Sequence, residues 1–264
     1  MVKTIEPKVN VLSLEGKPVK TIPLPDIFQT PFRPDIINRT FVAAITHYKQ
    51  PQGVNVKAGK RSNAESSGPG RGISRVPRVR GSGTGAANQG NFVPQARGGR
   101  QAFPPVTWKI IRKEMNKKER LLAIRSAIAA TADKVKVIKR GHKFNENLGI
   151  PTVLVDDLEK LQKTKEVRDV LQAIGLADDL ERASIKKIRA GRGKMRGRKY
   201  KRRKSALIVV AKNDGVFRAA RNIPGIDIVE VKHLSTELLA PGGRCGRLLI
   251  WSESAMNQVN SLFI

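Results

Sequence analysis

Ala206-Leu-Ile-Val-Val-Ala211 is a run of six residues with no polar side chain, closed by Lys212 and Asn213. It is short for a helix, and it does not alternate as a strand with one wet face would. A strand of a parallel sheet, covered by helices on both faces, has this form. Thr152–Val155 is a second such run, ending in Asp156-Asp157, a pair that reads as a helix entry or turn. Asp227–Val231 and Leu248–Trp251 supply two more strands. Helical patterns lie between them. Thr164 is placed to cap a helix with Val167, Val170, Leu171 and Ile174 inward and Gly175 at its end. Leu176–Lys187, Asn213–Asn222 (stopped by Pro224-Gly225) and Ser254–Leu262 read as further helices.

Toward the N-terminus, Val9–Leu14 alternates as a strand, Gly16-Lys17-Pro18 turns, and Lys20–Ile22 forms a short second strand. Asp35–Tyr48 places Ile37, Phe41, Ala44, Ile45 and Tyr48 on one helical face. Asn116 and Glu119 have the spacing of a cap pair. They precede a helix that turns Leu121, Ile124, Ala127 and Ile128 inward, carries Lys117, Arg120 and Arg125 opposite, and ends near Ala132. Strands alternating with helices predict the α/β class: one globular body, a mostly parallel sheet flanked by helices.

Pro51–Pro105 breaks this pattern. It divides the chain into a first part of the body (1–50), an extended Gly/Arg-rich loop (51–105) and the remainder of the body (106–264), which carries a basic loop at 186–204. The 51–105 stretch holds 11 of the 23 glycines and six of the 15 prolines, with nine basic residues and a single acid, Glu65. No apolar period runs through it, and Val54, Val56, Ile73, Val76, Val79, Phe92 and Phe103 are too scattered to make a core. Left in water, its conformational entropy is unopposed, so it is expected to order only against a large, rigid polyanion. A disordered linker is the plain alternative.

The net charge of +29 lies entirely in three segments: 51–105, Lys109–Lys143, and Lys186–Lys204, where twelve bases stand with no acid. A neutral body with three basic attachments suits a partner that binds at several places, and nucleic acid is such a partner. Arg outnumbers Lys by seven to two in 51–105, which favours two-pronged contact with phosphate oxygens and stacking on bases. Arg71, Arg75, Arg78, Arg80, Arg97 and Arg100 are the expected RNA contacts there, with Lys57, Lys60 and Arg61. In the second tract they are Arg189, Arg192, Lys194, Arg196, Arg198, Lys199, Lys201, Arg202 and Arg203, with Tyr200 placed to stack on a base. Arg140 and His142 sit in the basic run Arg140-Gly-His-Lys143 and are expected to touch phosphate.

Other classes find little support. No run of about 18 apolar residues spans a bilayer, and Met1–Lys20, broken by Lys3, Glu6 and Pro7, does not read as a signal peptide. A lone cysteine, Cys245, forms no internal disulfide and fits a reducing compartment. Gly81-Ser-Gly-Thr-Gly85-Ala86 matches the loose form of a dinucleotide fingerprint but lacks the strand before and helix after. P-loop and G-x-S-x-G motifs are absent, and His47, His142 and His233 stand far apart. No catalytic residue, metal or cofactor is expected. An RNA-modifying transferase needs a Gly-rich turn after the first strand, and Glu15-Gly-Lys-Pro18 is no phosphate cradle. A DNA-compacting protein suits the charge but not a long Gly-rich loop inside an α/β fold.

Six pieces carry a family resemblance: Arg33-Pro-Asp-Ile36; Ile73-Ser-Arg-Val-Pro-Arg-Val-Arg-Gly-Ser-Gly-Thr-Gly85; Arg97-Gly-Gly-Arg100 with Phe103-Pro-Pro105 and Trp108; Arg189-Ala-Gly-Arg-Gly-Lys-Met-Arg196; Arg221-Asn-Ile-Pro-Gly225; and Leu239-Ala-Pro-Gly-Gly243 with Gly246-Arg247 and Ile250-Trp-Ser-Glu-Ser-Ala255. In order and over nearly the whole chain, they resemble the family of universal large-subunit ribosomal protein four. The chain ends soon after the last piece, as in the archaeal form. The resemblance implies a structural, non-enzymatic component of the large ribosomal subunit, in the cytoplasm, that binds ribosomal RNA early in assembly and adds Trp108 to the RNA contacts. It implies that the loop tip, Arg78–Gln89, helps form the constriction of the polypeptide exit tunnel. Arg78, Arg80, Gly81, Ser82, Gly83, Thr84, Gly85, Asn88 and Gln89 would line it, beside large-subunit protein twenty-two and the nascent chain. Bacterial tips are richer in bases after Gly-Thr-Gly, where this chain has Ala86-Ala87-Asn88-Gln89.

Overall fold

The computed structural model describes residues 8–145 and 147–263. It divides into two units: one from the described residues of Met1–Ile45 and Glu114–Ile264, the other from Thr46–Lys113.

The first unit is built on a six-stranded sheet. Its strands are β1 (Lys8–Leu12), β2 (Pro18–Pro23), β5 (Thr152–Leu154), β8 (Leu207–Val210), β9 (Asp227–Glu230) and β10 (Leu249–Ser252). The order across the sheet is β2-β1-β5-β10-β8-β9. Only the β1–β2 pair is antiparallel; β1–β5, β5–β10, β10–β8 and β8–β9 are parallel. The remaining four strands form two small ladders: β3 (Ala64–Glu65) with β4 (Arg78–Val79), and β6 (Lys187–Ile188) with β7 (Tyr200–Lys201).

The unbroken apolar run is explained by two cores. Successive strand residues point to opposite faces, and here both faces are dry. Leu207, Val209, Val153, Leu249 and Trp251 face one core with Ile37 of α1 (Pro34–His47), Ala123, Ile124, Ala127 and Ile128 of α2 (Lys117–Thr131), and Met256 and Val259 of α8 (Glu253–Phe263). Phe28 meets Trp251 there edge-on, with ring centroids 6.1 Å apart. Leu154, Ile208, Val210 and Ile250 face the other core. It includes Val137 of α3 (Lys134–Arg140), Val167, Val170 and Leu171 of α4 (Thr164–Ala173), Leu180 of α5 (Ala177–Ser184), and Val216 and Ala219 of α6 (Val216–Ala220). The short α7 (Thr236–Leu239) adds Leu239 to the first core.

Several local expectations need correction. The helix expected over Leu176–Lys187 stops at Ser184, and the one over Asn213–Asn222 is only Val216–Ala220. Lys163, not Thr164, holds the N-cap position of α4, with no side-chain cap bond. Asn116 holds the N-cap position of α2, but its side chain makes no cap bond either. Helix α3 lies where no helix was expected. Asp133 caps it by accepting from Val135 N, and Gly141 ends it at φ 96°. With α2 and α3 inside it, Lys109–Lys143 is in large part a piece of the body rather than a basic attachment; apolar side chains of both helices are buried in the cores.

Candidate nucleic-acid interface

The 186–204 tract, expected as a basic loop, forms a hairpin. Lys187 pairs with Lys201 and Ile188 with Tyr200 across β6 and β7, and Arg189 N donates to Lys199 O at 2.8 Å. A 3-10 turn, Arg192–Lys194, lies at its far end. Among the described residues, none of the eleven basic side chains from Lys186 to Arg203 joins an ion pair. Lys186 and Lys199 hold their Nζ atoms 5.8 and 5.4 Å from the centre of the Tyr200 ring, a weak cation–π hold at an exposed site. Ile188, Met195 and Tyr200 are exposed beside them.

This hairpin is fixed at its root by a buried polar network. Asp179 of α5 accepts from Ser205 Oγ at 2.5 Å, Arg182 Nε at 2.8 Å and Lys143 N at 3.0 Å. Arg182 also donates to Lys204 O at 2.9 Å, fastening the returning arm. Deeper, Arg247 is fully buried. Its Nε donates to Ser205 O at 3.0 Å, Nη1 to Leu238 O at 2.9 Å and Nη2 to Asp227 Oδ2 at 2.7 Å. Lys204 Nζ reaches the same Asp227 carboxylate at 2.8 Å. Gly225, at φ +81°, lets the chain pass: a Cβ there would lie 2.7 Å from Ala183 Cβ and 2.8 Å from Arg203 O. The Arg221–Gly225 piece is thus a packing device for the hairpin root.

The network sets its own protonation. Burial pushes the Asp179 carboxyl up, but the hydrogen bonds it accepts from His142, Arg182 and Ser205 outweigh it, and its pKa falls well below the carboxylate range. Burial likewise raises Asp227, and Arg247 and Lys204 reverse it. His142 is a correction. It is buried, its Nδ1 lies 3.2 Å from Asp179 Oδ2, and its Nε2 accepts from Leu248 N at 3.4 Å. Nδ1 therefore carries the proton, and burial lowers the imidazole's pKa. A neutral, buried ring offers an RNA phosphate no charge. Arg140, also expected at phosphate, donates to the carbonyls of Arg244, Cys245 and Pro241, which leave its charge unpaired.

In the second unit no residue from His47 to Lys113 is buried. The stretch is nonetheless not featureless, as its sequence had suggested. Its two arms run against each other: Val54 N donates to Pro105 O at 3.1 Å, and Gly59 abuts Gly99 and Arg100. A Cβ on Gly59 would lie 2.4 Å from Gly99 C, and one on Gly99 would lie 1.9 Å from Val93 O. These glycines keep the doubled chain thin. Farther along, β3 pairs with β4, and Val79 exchanges bonds with Gln89 O and Asn88 N at 3.0 Å each. A loop from Arg80 to Ala87 closes that end, with Gly81, Gly83 and Gly85 facing open space. The two-residue β4 precedes the Gly-x-Gly run, but no helix follows it, so the dinucleotide fingerprint stays unmet.

Within this unit Lys57, Lys60, Arg61, Arg71, Arg75 and Arg97 are exposed. Arg80 pairs with Glu65, and Arg78 Nη1 donates to Asn88 O at 3.0 Å, so these two also hold the loop end in shape. Phe103 and Trp108 stand 93% and 72% exposed.

The sheet's C-terminal edge, where open α/β sheets bind ligands, is filled by the protein itself. Glu159 accepts from Ala211 N at 2.7 Å, Ser252 Oγ at 2.6 Å and Lys212 N at 3.3 Å, joining the ends of β5, β8 and β10. Asp156 takes Ser254 N at 2.8 Å and Ser254 Oγ at 2.5 Å. Among the described residues, no three His, Cys, Asp or Glu side chains gather to hold a metal. No described helix is long and apolar enough to cross a membrane.

Sequence reasoning missed Asp179, Arg182, Asp227 and Arg247. Their value lies in contacts 20 or more residues away in the chain, such as Arg247 to Asp227; only the i,i+3 spacing of Asp179 and Arg182 was visible.

A family model described as the Ribosomal protein L4/L1 family matches residues 22–262. The chain is 48% identical over 257 residues to the large ribosomal subunit protein uL4 of Methanosphaera stadtmanae, covering 97% of each chain. It is 47% identical to the protein of that name from Methanothrix thermoacetophila, over 93% of this chain and 96% of that one. The Archaeoglobus fulgidus protein is 47% identical, over 94% and 96%. With the match continuous from Ile22 to Leu262 and relatives aligned over nearly their full lengths, this chain belongs to the Ribosomal protein L4/L1 family and is a structural ribosomal protein of the large subunit, not an enzyme.

Proposed function

We propose that the protein binds large-subunit ribosomal RNA through two separate basic elements, the Pro51–Pro105 loop and the Lys186–Lys204 hairpin, and acts early in subunit assembly. The observation that carries this is the absence of any buried residue from His47 to Lys113. Such a stretch gains little hydrophobic stabilisation of its own. Its turns and two-residue ladder do not offset the entropy of ordering it. Phosphate contacts along its arginines supply what is missing. The second element differs: its root is locked to the body, so it presents its cations already placed.

The loop end supports the finer reading that Arg78–Gln89 lines the exit tunnel. It is thin, glycine-rich and closed by its own hydrogen bonds, and its open face offers Gly81, Ser82, Gly83, Thr84 and Gly85 rather than bulky side chains. Its neighbours there would be large-subunit protein twenty-two and the nascent chain, in cytoplasmic ribosomes. About 55 residues doubled back reach at most roughly 90 Å at about 3.3 Å per extended residue, enough to cross a thick layer of folded RNA.

Limited proteolysis of the purified protein, free and with large-subunit ribosomal RNA, tests the proposal. The 51–105 stretch is expected to be cut quickly when free and protected by the RNA. Equal cutting in both states overturns it.

A further inference from the structure

The geometry points to a third RNA contact, on the body itself: a cleft formed by Arg140, Arg182, Arg203 and Arg244 seats a backbone phosphate of the same RNA. The inference rests on the RNA-binding reading above. The cleft has a volume of about 510 Å³ and is completed by Gly141, His142, Lys204 and Pro241. Its four arginines come from the end of α3, from α5, from the hairpin's returning arm and from the turn after Pro241.

The charges around this cleft do not balance. Asp179 is already committed to Arg182, Ser205 and Lys143 N, and Asp227 to Arg247 and Lys204. His142 in the floor is neutral, with its Nδ1 proton donated to Asp179. Arg140 is held only by carbonyl oxygens. Among the described residues no carboxylate lies within ion-pair distance of Arg140, Arg203 or Arg244, and the Arg203 and Arg244 side chains make no hydrogen bond. Burial, together with the charges of Arg247, Arg182 and Arg244, pushes the Arg140 pKa down to about 10. The cations repel one another around an open space, and an anion placed there removes the repulsion. Phosphate suits guanidinium forks, and the cleft is continuous with the hairpin through Arg203 and Lys204. A polyphosphate chain that follows the hairpin therefore reaches it directly.

The test uses the full chain and the variant Arg244→Gln, an exposed side chain without a partner that lies outside the hairpin. Affinity for large-subunit ribosomal RNA is measured by filter binding over a series of KCl concentrations, and thermal melting is followed with and without inorganic phosphate at fixed ionic strength. The slope of log K against log salt is expected to fall by about one in the variant, near the 0.9 per phosphate of counterion release. Phosphate is expected to raise the melting temperature of the wild type more than that of the variant. An unchanged slope with RNA binding intact overturns the cleft and leaves the RNA-binding reading standing. A wild type that does not bind the RNA removes both. Phosphate stabilisation without a change in slope marks a free-anion site and overturns the RNA assignment. Equal competition by polyglutamate at matched charge assigns the cleft to an acidic peptide, with the same result.

Discussion

Replacing Arg247 by Met removes the innermost support of the hairpin root. Arg247 makes five hydrogen bonds, of which those to Asp227 Oδ2 (2.7 Å), Leu238 O (2.9 Å) and Ser205 O (3.0 Å) are the short ones. The Ala206 and Gly225 carbonyls keep other donors, Asp227 N at 3.4 Å and Ser205 N at 2.8 Å. Breaking a buried ion pair by removing one partner costs about 3–5 kcal/mol. Asp227 keeps Lys204 and is a quarter exposed, so the lower end applies, about 3 kcal/mol. For a body of this size about 2–4 °C is lost per kcal/mol, so the melting temperature should fall by about 6–12 °C. Thermal and urea unfolding followed by far-UV circular dichroism measures it. The Asp227→Asn variant in the Met background should recover part of the loss, because the stranded charge is then gone. A loss below about 1 kcal/mol, or a double variant whose loss is the sum of the two single ones, refutes the reasoning.

Three further outcomes are expected. His142 and Asp179 both have folded pKa values below their unfolded ones. In each case the unfolded chain therefore takes up the proton first as pH falls. The His142 contribution is complete above about pH 6.5 and declines below it; the Asp179 contribution is complete above about pH 3.9 and is lost through a lower range. Urea midpoints against pH should show the first decline flattened in His142→Gln and the second in Asp179→Asn; parallel wild-type and variant curves contradict this. Charge reversal of Arg78 and Arg80 should leave the melting temperature of the body unchanged while lowering co-sedimentation with the large subunit, and a large drop in melting temperature would count against it. Gly59→Ala places a Cβ 2.4 Å from the backbone of Gly99 at φ +72°. It should increase proteolysis of 51–105 in the RNA complex without altering the body's unfolding, and unaltered protection would mean the arms do not need their close approach.

The α/β fold was legible because burial on both faces leaves a mark in the sequence: Leu207–Val210 has no polar residue to offer. Helix ends were less legible. The tail of the expected Leu176–Lys187 helix is drawn into the hairpin, where Lys187 pairs with Lys201, and tertiary pairing overrode local preference. Helix α3 escaped notice because its exposed face carries Val135 and Ile138, which blur the helical period. The exposed basic residues of the loop and the hairpin were easy to find, since charge shows in any window. His142 was misplaced for the same reason: its neighbours in sequence are cations, but its neighbours in space are Asp179 and Leu248 N. The network that holds the hairpin root joins residues far apart in the chain, and composition carries no trace of it.

The second unit starts and ends at one spot. Lys113 N donates to Thr46 Oγ1 at 3.0 Å, and His47 Nε2 lies 3.1 Å from Lys113 O. Pinned this way, the insertion is a cassette: none of the six strands of the sheet lies within it. Closing a longer insertion adds only about 0.6 kcal/mol for each doubling of length. Its reach and tip chemistry are therefore free to diverge between lineages while the scaffold stays constant, and the cassette can be transplanted between relatives as a single piece.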